Sequence, residues 1–265
     1  MTLSSTDTSA CDCAMQTQPA LLLRGVTCRF GALCAVDDVS LQVKVGERRG
    51  LIGPNGAGKT TLFHVISGIL KPTSGRIEMF GQDVTDISTH RRVGLGMART
   101  FQLTTLFAHL TVEQNVALAI QGQRPEKLSL LRPRTSFTGL RLEVERLLAD
   151  WDLLEKRYTV VSALSYGDQR RLEIILAVAQ RPRLLLLDEP TAGLSPAETA
   201  TAMAMIRALP RDIGLIVIEH DLDVVFGLCE SLTVLHLGKV VVTGSPHVVR
   251  DNAQVQEIYL GGASV

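Results

Sequence analysis

An excess of charge of either sign is missing from this chain. Its 265 residues hold 27 Lys and Arg against 27 Asp and Glu, so no overall field directs it to nucleic acid or to another charged polymer. Cysteine is scarce as well. The five present, Cys11, Cys13, Cys28, Cys34 and Cys229, are odd in number and form no C-x-x-C arrangement, which argues against a disulfide framework and a structural zinc site and fits a reducing compartment. Long apolar runs are also lacking: stretches such as Leu184–Leu187 and Leu215–Ile218 are far too short to span a bilayer. The Ser/Thr-rich stretch Met1–Pro19 contains no apolar signal-peptide core, so nothing in it directs export; a disordered extension over residues 1–19 is expected.

What is present organises itself around Leu51-Ile52-Gly53-Pro54-Asn55-Gly56-Ala57-Gly58-Lys59-Thr60-Thr61. An apolar strand end feeds a glycine-rich turn and then a helix, and Gly53, Gly58, Lys59 and Thr60 satisfy G-x-x-x-x-G-K-[ST]. In such a loop, backbone N–H groups wrap phosphate oxygens because no Cβ blocks the approach, and the helix N-terminus adds its partial positive charge. Lys59 is then expected to neutralise the β and γ phosphates of a nucleotide, with the Thr60 hydroxyl on a bridging Mg²⁺.

Strands are expected at Leu21–Phe30 and Val39–Val45, separated by a turn at Gly31 and the acidic pair Asp37-Asp38, then at Arg48–Ile52 and Arg76–Phe80. Phe30 is the one aromatic ring placed to stack on a purine ahead of the loop. The helix after the loop carries Leu62, Phe63, Val65, Ile66 and Ile69 and ends near Gly68. Thr111 and Gln114 form a capping-box start for a further helix. Gln123–Gly139, with its prolines and arginines, reads as a loop, followed by a helix with Val144, Leu147, Leu148 and Trp151 on one face. Another helix starts at Ser165, with Leu172, Ile175, Leu176 and Ala179 on its buried face and Arg170 and Arg171 off it. Leu184–Leu187 and Leu215–Ile218 are apolar on both faces, as strands of a covered parallel sheet must be.

Each of those two strands ends in charge, Asp188-Glu189 and Glu219-His220, at the carboxyl edge where open α/β sheets place ligand chemistry. Asp188 suits Mg²⁺ held through water, and Glu189 the polarisation of an attacking water. Ser165-Tyr166-Gly167 at a helix N-terminus offers a second phosphate site.

In this order the motifs resemble the nucleotide-binding subunit of an ATP-binding cassette (ABC) transporter. Gly53–Thr61 is similar to its Walker A segment, Arg99-Thr100-Phe101-Gln102 to its Q-loop, and Leu164-Ser165-Tyr166-Gly167-Asp168-Gln169 to its signature. Leu184–Pro190 is similar to Walker B, Ala192-Gly193-Leu194-Ser195 to the D-loop, and His220 to the switch histidine. The resemblance implies an α/β fold: a P-loop NTPase (RecA-like) core with an antiparallel β subdomain and an inserted α-helical subdomain at about 103–180, all within a nucleotide-binding domain spanning 20–265. It implies ATP and Mg²⁺ as cofactors. Phe30, Gly53, Pro54, Asn55, Gly56, Ala57, Gly58, Lys59, Thr60 and Thr61 would hold ATP, and Thr60, Gln102 and Asp188 the metal. Glu189 would act as general base, His220 on the γ-phosphate and Gln102 on the attacking water. Ser165, Tyr166, Gly167, Asp168 and Gln169 would close over the nucleotide of a second subunit, the same chain or a paralogue.

Tyr166 in the signature, Ala98–Gln102, Leu106-Phe107 and Tyr259-Leu260-Gly261 are similar to the ATPases of branched-chain (hydrophobic) amino acid importers. That resemblance implies two integral-membrane permease subunits as partners, a periplasmic solute-binding protein acting indirectly, no nucleic acid, and a peripheral place on the cytoplasmic face of the inner membrane. Importers of urea, amides or aromatic acids and lipopolysaccharide exporters share these motifs, and a soluble P-loop kinase or an ATP-binding regulatory protein would share fewer. Two departures stand out: Asp168 replaces the usual signature Gln and is expected to turn and cap its own helix, and Ser195 replaces the usual D-loop Asp.

Overall fold

In the computed structural model, which describes residues 18–100, 106–122 and 135–260, the chain opens with β1 (Leu21–Phe30), β2 (Leu33–Val43), β3 (Arg48–Ile52), α1 (Lys59–Ser67), β4 (Ser74–Met79), β5 (Gln82–Asp83), α2 (Thr89–Gly94) and β6 (Met97–Arg99). The helices α3 (Val112–Gly122), α4 (Thr135–Asp150) and α5 (Tyr166–Val178) follow, then β7 (Leu184–Asp188), α6 (Pro196–Ala208), β8 (Gly214–Ile218) and α7 (Leu222–Leu228). A hairpin of β9 (Ser231–His236) and β10 (Lys239–Gly244) and the helices α8 (Pro246–Arg250) and α9 (Ala253–Leu260) close it.

Two sheets result. The first is antiparallel, in the order β2-β1-β4-β5. The second has the order β10-β9-β3-β8-β7-β6, parallel except for β10. Because side chains alternate across a strand, β7 sends Leu184 and Leu186 into the apolar layer shared with α1 and the first sheet, and Leu185 and Leu187 into the layer under α3, α4 and α5. In β8, Ile216 and Ile218 take the first side and Leu215 and Val217 the second. All eight are fully buried, and truncating one such Leu to Ala costs about 2–5 kcal/mol. This is the doubly covered sheet that the two apolar runs imply.

Several boundaries differ from the sequence reading. The second strand begins at Leu33 rather than Val39, with Asp37-Asp38 inside it. Gly31 turns in the left-handed region (φ 58), and Asp38 (φ 53) accommodates the irregular pairing of β1 with β2. Ile69 lies beyond α1, which ends at Ser67 and is capped by Gly68, whose left-handed backbone (φ 77) and amide bonds to the His64 and Val65 carbonyls stop the helix. Thr135–Gly139, expected in a loop, belongs to α4: Pro133 is the last proline of that stretch, so nothing bars a helix from starting just past it. The expected capping box is present, with the Thr111 amide on Gln114 Oε1 at 2.9 Å and the Gln114 amide on Thr111 Oγ1 at 3.2 Å. Trp151, 4% exposed, joins the apolar layer beneath the helices. Among the described residues no helix is long and apolar enough to cross a membrane.

The helix behind the glycine loop is anchored at its far end by an unforeseen residue. Arg92 is 1% exposed, and its guanidinium donates to the carbonyls of Val65 (2.7 Å), Ile66 (2.6 Å), Val84 (2.7 Å), Ile87 (2.9 Å) and Thr85 (3.4 Å). The first two belong to the last turn of α1, so Arg92 places a cation at the negative end of that helix. Burial lowers its pKa to about 10, which leaves it charged at neutral pH. The Val65 and Val84 carbonyls also accept amides, so Arg92→Met leaves those of Ile66, Thr85 and Ile87 without this donor and should lower the unfolding free energy by about 3 kcal/mol or more, at roughly 1–3 kcal/mol for each orphaned buried carbonyl. A denaturant midpoint unchanged from the parent chain would refute that role.

Candidate functional site

Strand β3 delivers the glycine loop to the carboxyl edge of the parallel sheet, and α1 leaves it. The loop closes on itself through the Ala57 amide on the Pro54 carbonyl (3.2 Å) and the Leu62 amide on the Gly58 carbonyl (2.9 Å). Two glycines are required by crowding and by backbone angle. A Cβ on Gly53 (φ 149) would lie 2.1 Å from the Leu235 carbonyl oxygen, and one on Gly58 (φ 98) 2.3 Å from that of Ala35. Through Ala35 the β1–β2 hairpin lies against the loop, and at its tip Phe30 is 48% exposed rather than packed under the sheet. Asn55 and Gly56 face solvent. Lys59 is 5% exposed; its ammonium donates to the carbonyls of Gly53 (2.7 Å) and Pro54 (3.0 Å), and burial holds its pKa below the ordinary lysine range, with Glu189 opposing.

Strands β7 and β8 bring the acidic pair and the histidine to the same edge. Glu189 Oε1 lies 2.6 Å from His220 Nε2. Asp188 is fully buried. Its Oδ2 pairs with Arg99 Nη2 at 3.1 Å, its amide donates to Thr100 Oγ1 at 3.2 Å, and its Oδ1 has no hydrogen-bond partner among the described residues. Burial raises the Asp188 pKa despite Arg99. A buried carboxylate oxygen left unpartnered at a strand end is chemically suited to a hydrated divalent cation, so the donor set fits Mg²⁺.

The signature residues divide. Ser165 and Tyr166 face solvent, and Ser165 Oγ caps α5 by accepting the Asp168 amide at 3.2 Å. Asp168 therefore is not the cap it was expected to be. Its carboxylate, 2% exposed, turns into its own chain, bonded to Lys156 at 2.5 Å and to Arg171. Burial alone would raise its pKa; the bonds from Lys156 and Ser165 and the charge of Arg171 hold it below the usual carboxylate range. Gln169 also turns inward, donating to the Leu164 carbonyl at 3.2 Å. Gly167 is buried, and a Cβ there would meet Glu198 Oε1 at 2.3 Å. Glu198 and Ser195 form the capping box that starts α6, which is the use this chain makes of Ser at that D-loop position.

Gln102 lies outside the described residues. Three residues to which the sequence reading gave no role of their own belong to the site. Arg99 joins the two halves of the edge, bonded to Asp188 and to Ser67 of α1 (2.9 Å), with Phe63 beneath its guanidinium. Glu219 accepts the Thr191 amide (2.9 Å) and hydroxyl (2.7 Å) and so holds the segment after Glu189. Arg170, expected off the buried face, is 8% exposed because Glu173 pairs with it at 2.6 Å. The i,i+3 spacing of Arg170 and Glu173 was the one available signal.

Lys59 is a desolvated cation bonded to carbonyls of its own loop, at a helix N-terminus whose amides face the same space, and a phosphate group is the ligand that such a cradle accepts. The class is thus that of the P-loop nucleotide-binding proteins. Residues 36–192, more than half of the chain, match the family described as ABC transporter, and the chain belongs to that family. It is 36% identical over 253 residues to the high-affinity branched-chain amino acid transport ATP-binding protein BraF of Pseudomonas aeruginosa, covering 93% of this chain and 99% of that one. To the corresponding protein LivG of Escherichia coli (strain K12) it is 38% identical over the same shares of each chain. The crystal structure of the ADP conformation of an ATP-binding cassette of an ABC transporter superposes with a TM-score of 0.79 at 28% identity, covering 92% of this chain and 100% of that one.

Proposed function

We propose that this chain is the ATP-hydrolysing subunit of an importer for branched-chain or other hydrophobic amino acids, bound to the cytoplasmic face of the inner membrane through permease subunits. The observation that carries the hydrolytic reading is the 2.6 Å contact of Glu189 with His220, two residues from separate strands delivered to the edge where the glycine loop opens. Glu189 takes a proton from the attacking water. His220 holds its carboxylate and reaches the γ-phosphate, and Phe30 offers a ring to the adenine. Lys59 leaves the Gly53 and Pro54 carbonyls for the β and γ phosphates. Thr60, Asp188 and Gln102 would hold Mg²⁺, which when bound neutralises phosphate charge. Ser165 and Tyr166 face outward toward the nucleotide of a second subunit; Gly167, buried against Glu198, would meet it through its backbone, and Asp168 and Gln169 support the three from behind.

A cavity of about 330 Å³ supports the membrane partner. It lies between α3 and α5, lined by Phe107, Leu118, Asn115, Arg99 and Glu173 among others, with Phe107 59% and Leu118 44% exposed. A permease helix with apolar and polar faces suits it.

Isolation of the chain from detergent-solubilised membranes should bring two integral-membrane permease subunits with it, and vesicles holding that complex should take up leucine on addition of ATP. Uptake of urea without leucine would replace the solute class, and recovery of the chain with no membrane protein would overturn the transporter assignment.

A further inference from the structure

Glu189 lies in the left-handed region, at φ 48, a conformation that is unfavourable for a non-glycine residue and persists only where its surroundings impose it. The imposing contacts are all present. The Glu189 amide donates to the Ile218 carbonyl at 2.8 Å, and the Glu189 carbonyl accepts the Ala192 amide at 3.1 Å. That same carbonyl accepts Arg170 Nη2 at 3.1 Å. The first two bonds come from the neighbouring strand and the turn itself. The third comes from α5, the helix that begins with the signature.

Arg170 is well prepared for this. It is almost fully buried, and its other terminal nitrogen Nη1 is fixed by Glu173 Oε2 at 2.6 Å. One turn earlier on the same helix, the Tyr166 hydroxyl donates to the Ala192 carbonyl at 3.2 Å, so α5 grips both ends of the turn that starts at Glu189. We propose that Arg170 is a positioning residue for hydrolysis: from the signature helix of the same subunit it fixes the main chain of Glu189 and so aims the Glu189 carboxylate. The signature helix then serves two sites, with Ser165 facing outward and Arg170 facing inward. Glu173 also lines the cavity between α3 and α5, so an occupant that displaces Glu173 reaches Glu189 through two contacts. The proposal rests on the reading of Glu189 as general base.

The test uses R170K, the double variant R170M/E173M, which leaves no orphaned buried charge, and E189Q as reference. For each, the Kd of a fluorescent ATP analogue and the kcat and KM for ATP are measured. R170M/E173M should lower kcat by about 10–100-fold, the usual loss when an orienting partner is removed, with Kd within about twofold of the parent. R170K should lose less, because its ammonium keeps the charge and can still donate to the Glu189 carbonyl, though without the rigid planar fork. A merely structural role would move Kd together with kcat, and that result overturns the proposal. So does an unchanged kcat in R170M/E173M or, should that variant not fold, in R170K. Turnover retained in E189Q would remove the general base and the positioning role together, whereas an inactive E189Q beside fully active Arg170 variants removes the positioning role alone.

Discussion

Glu189→Gln should bind ATP with the affinity of the parent chain and turn it over about 10²–10⁴-fold more slowly, the usual range for a lost general base. The substitution keeps the size of the side chain and a carbonyl oxygen where Oε1 meets His220 Nε2 at 2.6 Å, so the edge of the sheet should not rearrange. What it removes is the lone capacity to take a proton. The backbone angle is also unaffected, since φ 48 at this position is imposed by bonds to main-chain atoms of Glu189, which Gln retains. Single-turnover release of phosphate, measured beside a binding titration, separates the two effects. Turnover within tenfold of the parent would assign the base elsewhere, and a parallel loss of ATP affinity would mean that the carboxylate supports the loop rather than the reaction.

The fold and much of the site were legible because their signals are local. Gly53, Gly58, Lys59 and Thr60 fall within eight consecutive positions, the spacing demanded by one turn around a phosphate. Leu184–Leu187 and Leu215–Ile218 announce strands buried on both faces. Their charged ends had to come to a sheet edge. Buried charges with distant partners were not legible. Arg99 and Asp188 stand 89 residues apart, and Arg92 reaches back 26 and 27 residues to its helix end. A periodicity argument treats such arginines as solvent-facing, which is why Arg170 was placed on the wrong side of its helix. Asp168 shows the same gap: sequence identified a carboxylate expected to turn back onto its own helix, but not that Lys156, outside the signature, would hold it. The start of β2 was missed because an acidic pair inside a strand reads as a turn until the pairing irregularity is seen.

Lys59→Met should separate binding from stability in the opposite sense. Lys59 is 5% exposed and forms no ion pair among the described residues; burial depresses its pKa, so its positive charge is held at a cost in the free chain. Removing that charge and losing two bonds to the Gly53 and Pro54 carbonyls act in opposite directions, each worth about 1–3 kcal/mol. The melting temperature of the nucleotide-free chain should therefore move little, by about 3 °C or less. The response to ATP should change far more. A ligand at one hundred times its Kd stabilises the folded state by about 2.7 kcal/mol, which in a domain of this size raises the melting temperature by about 5–10 °C. With Met at position 59 the phosphates meet no cation at the base of the loop, and an affinity loss of about 100-fold reduces that rise, at the same ATP concentration, to roughly 1 °C. A melting temperature that still climbs by the full amount on addition of ATP would show that the backbone amides and the helix end bind the phosphates without Lys59. A chain that melts far lower before ATP is added would instead make Lys59 a structural brace for the Gly53 and Pro54 carbonyls.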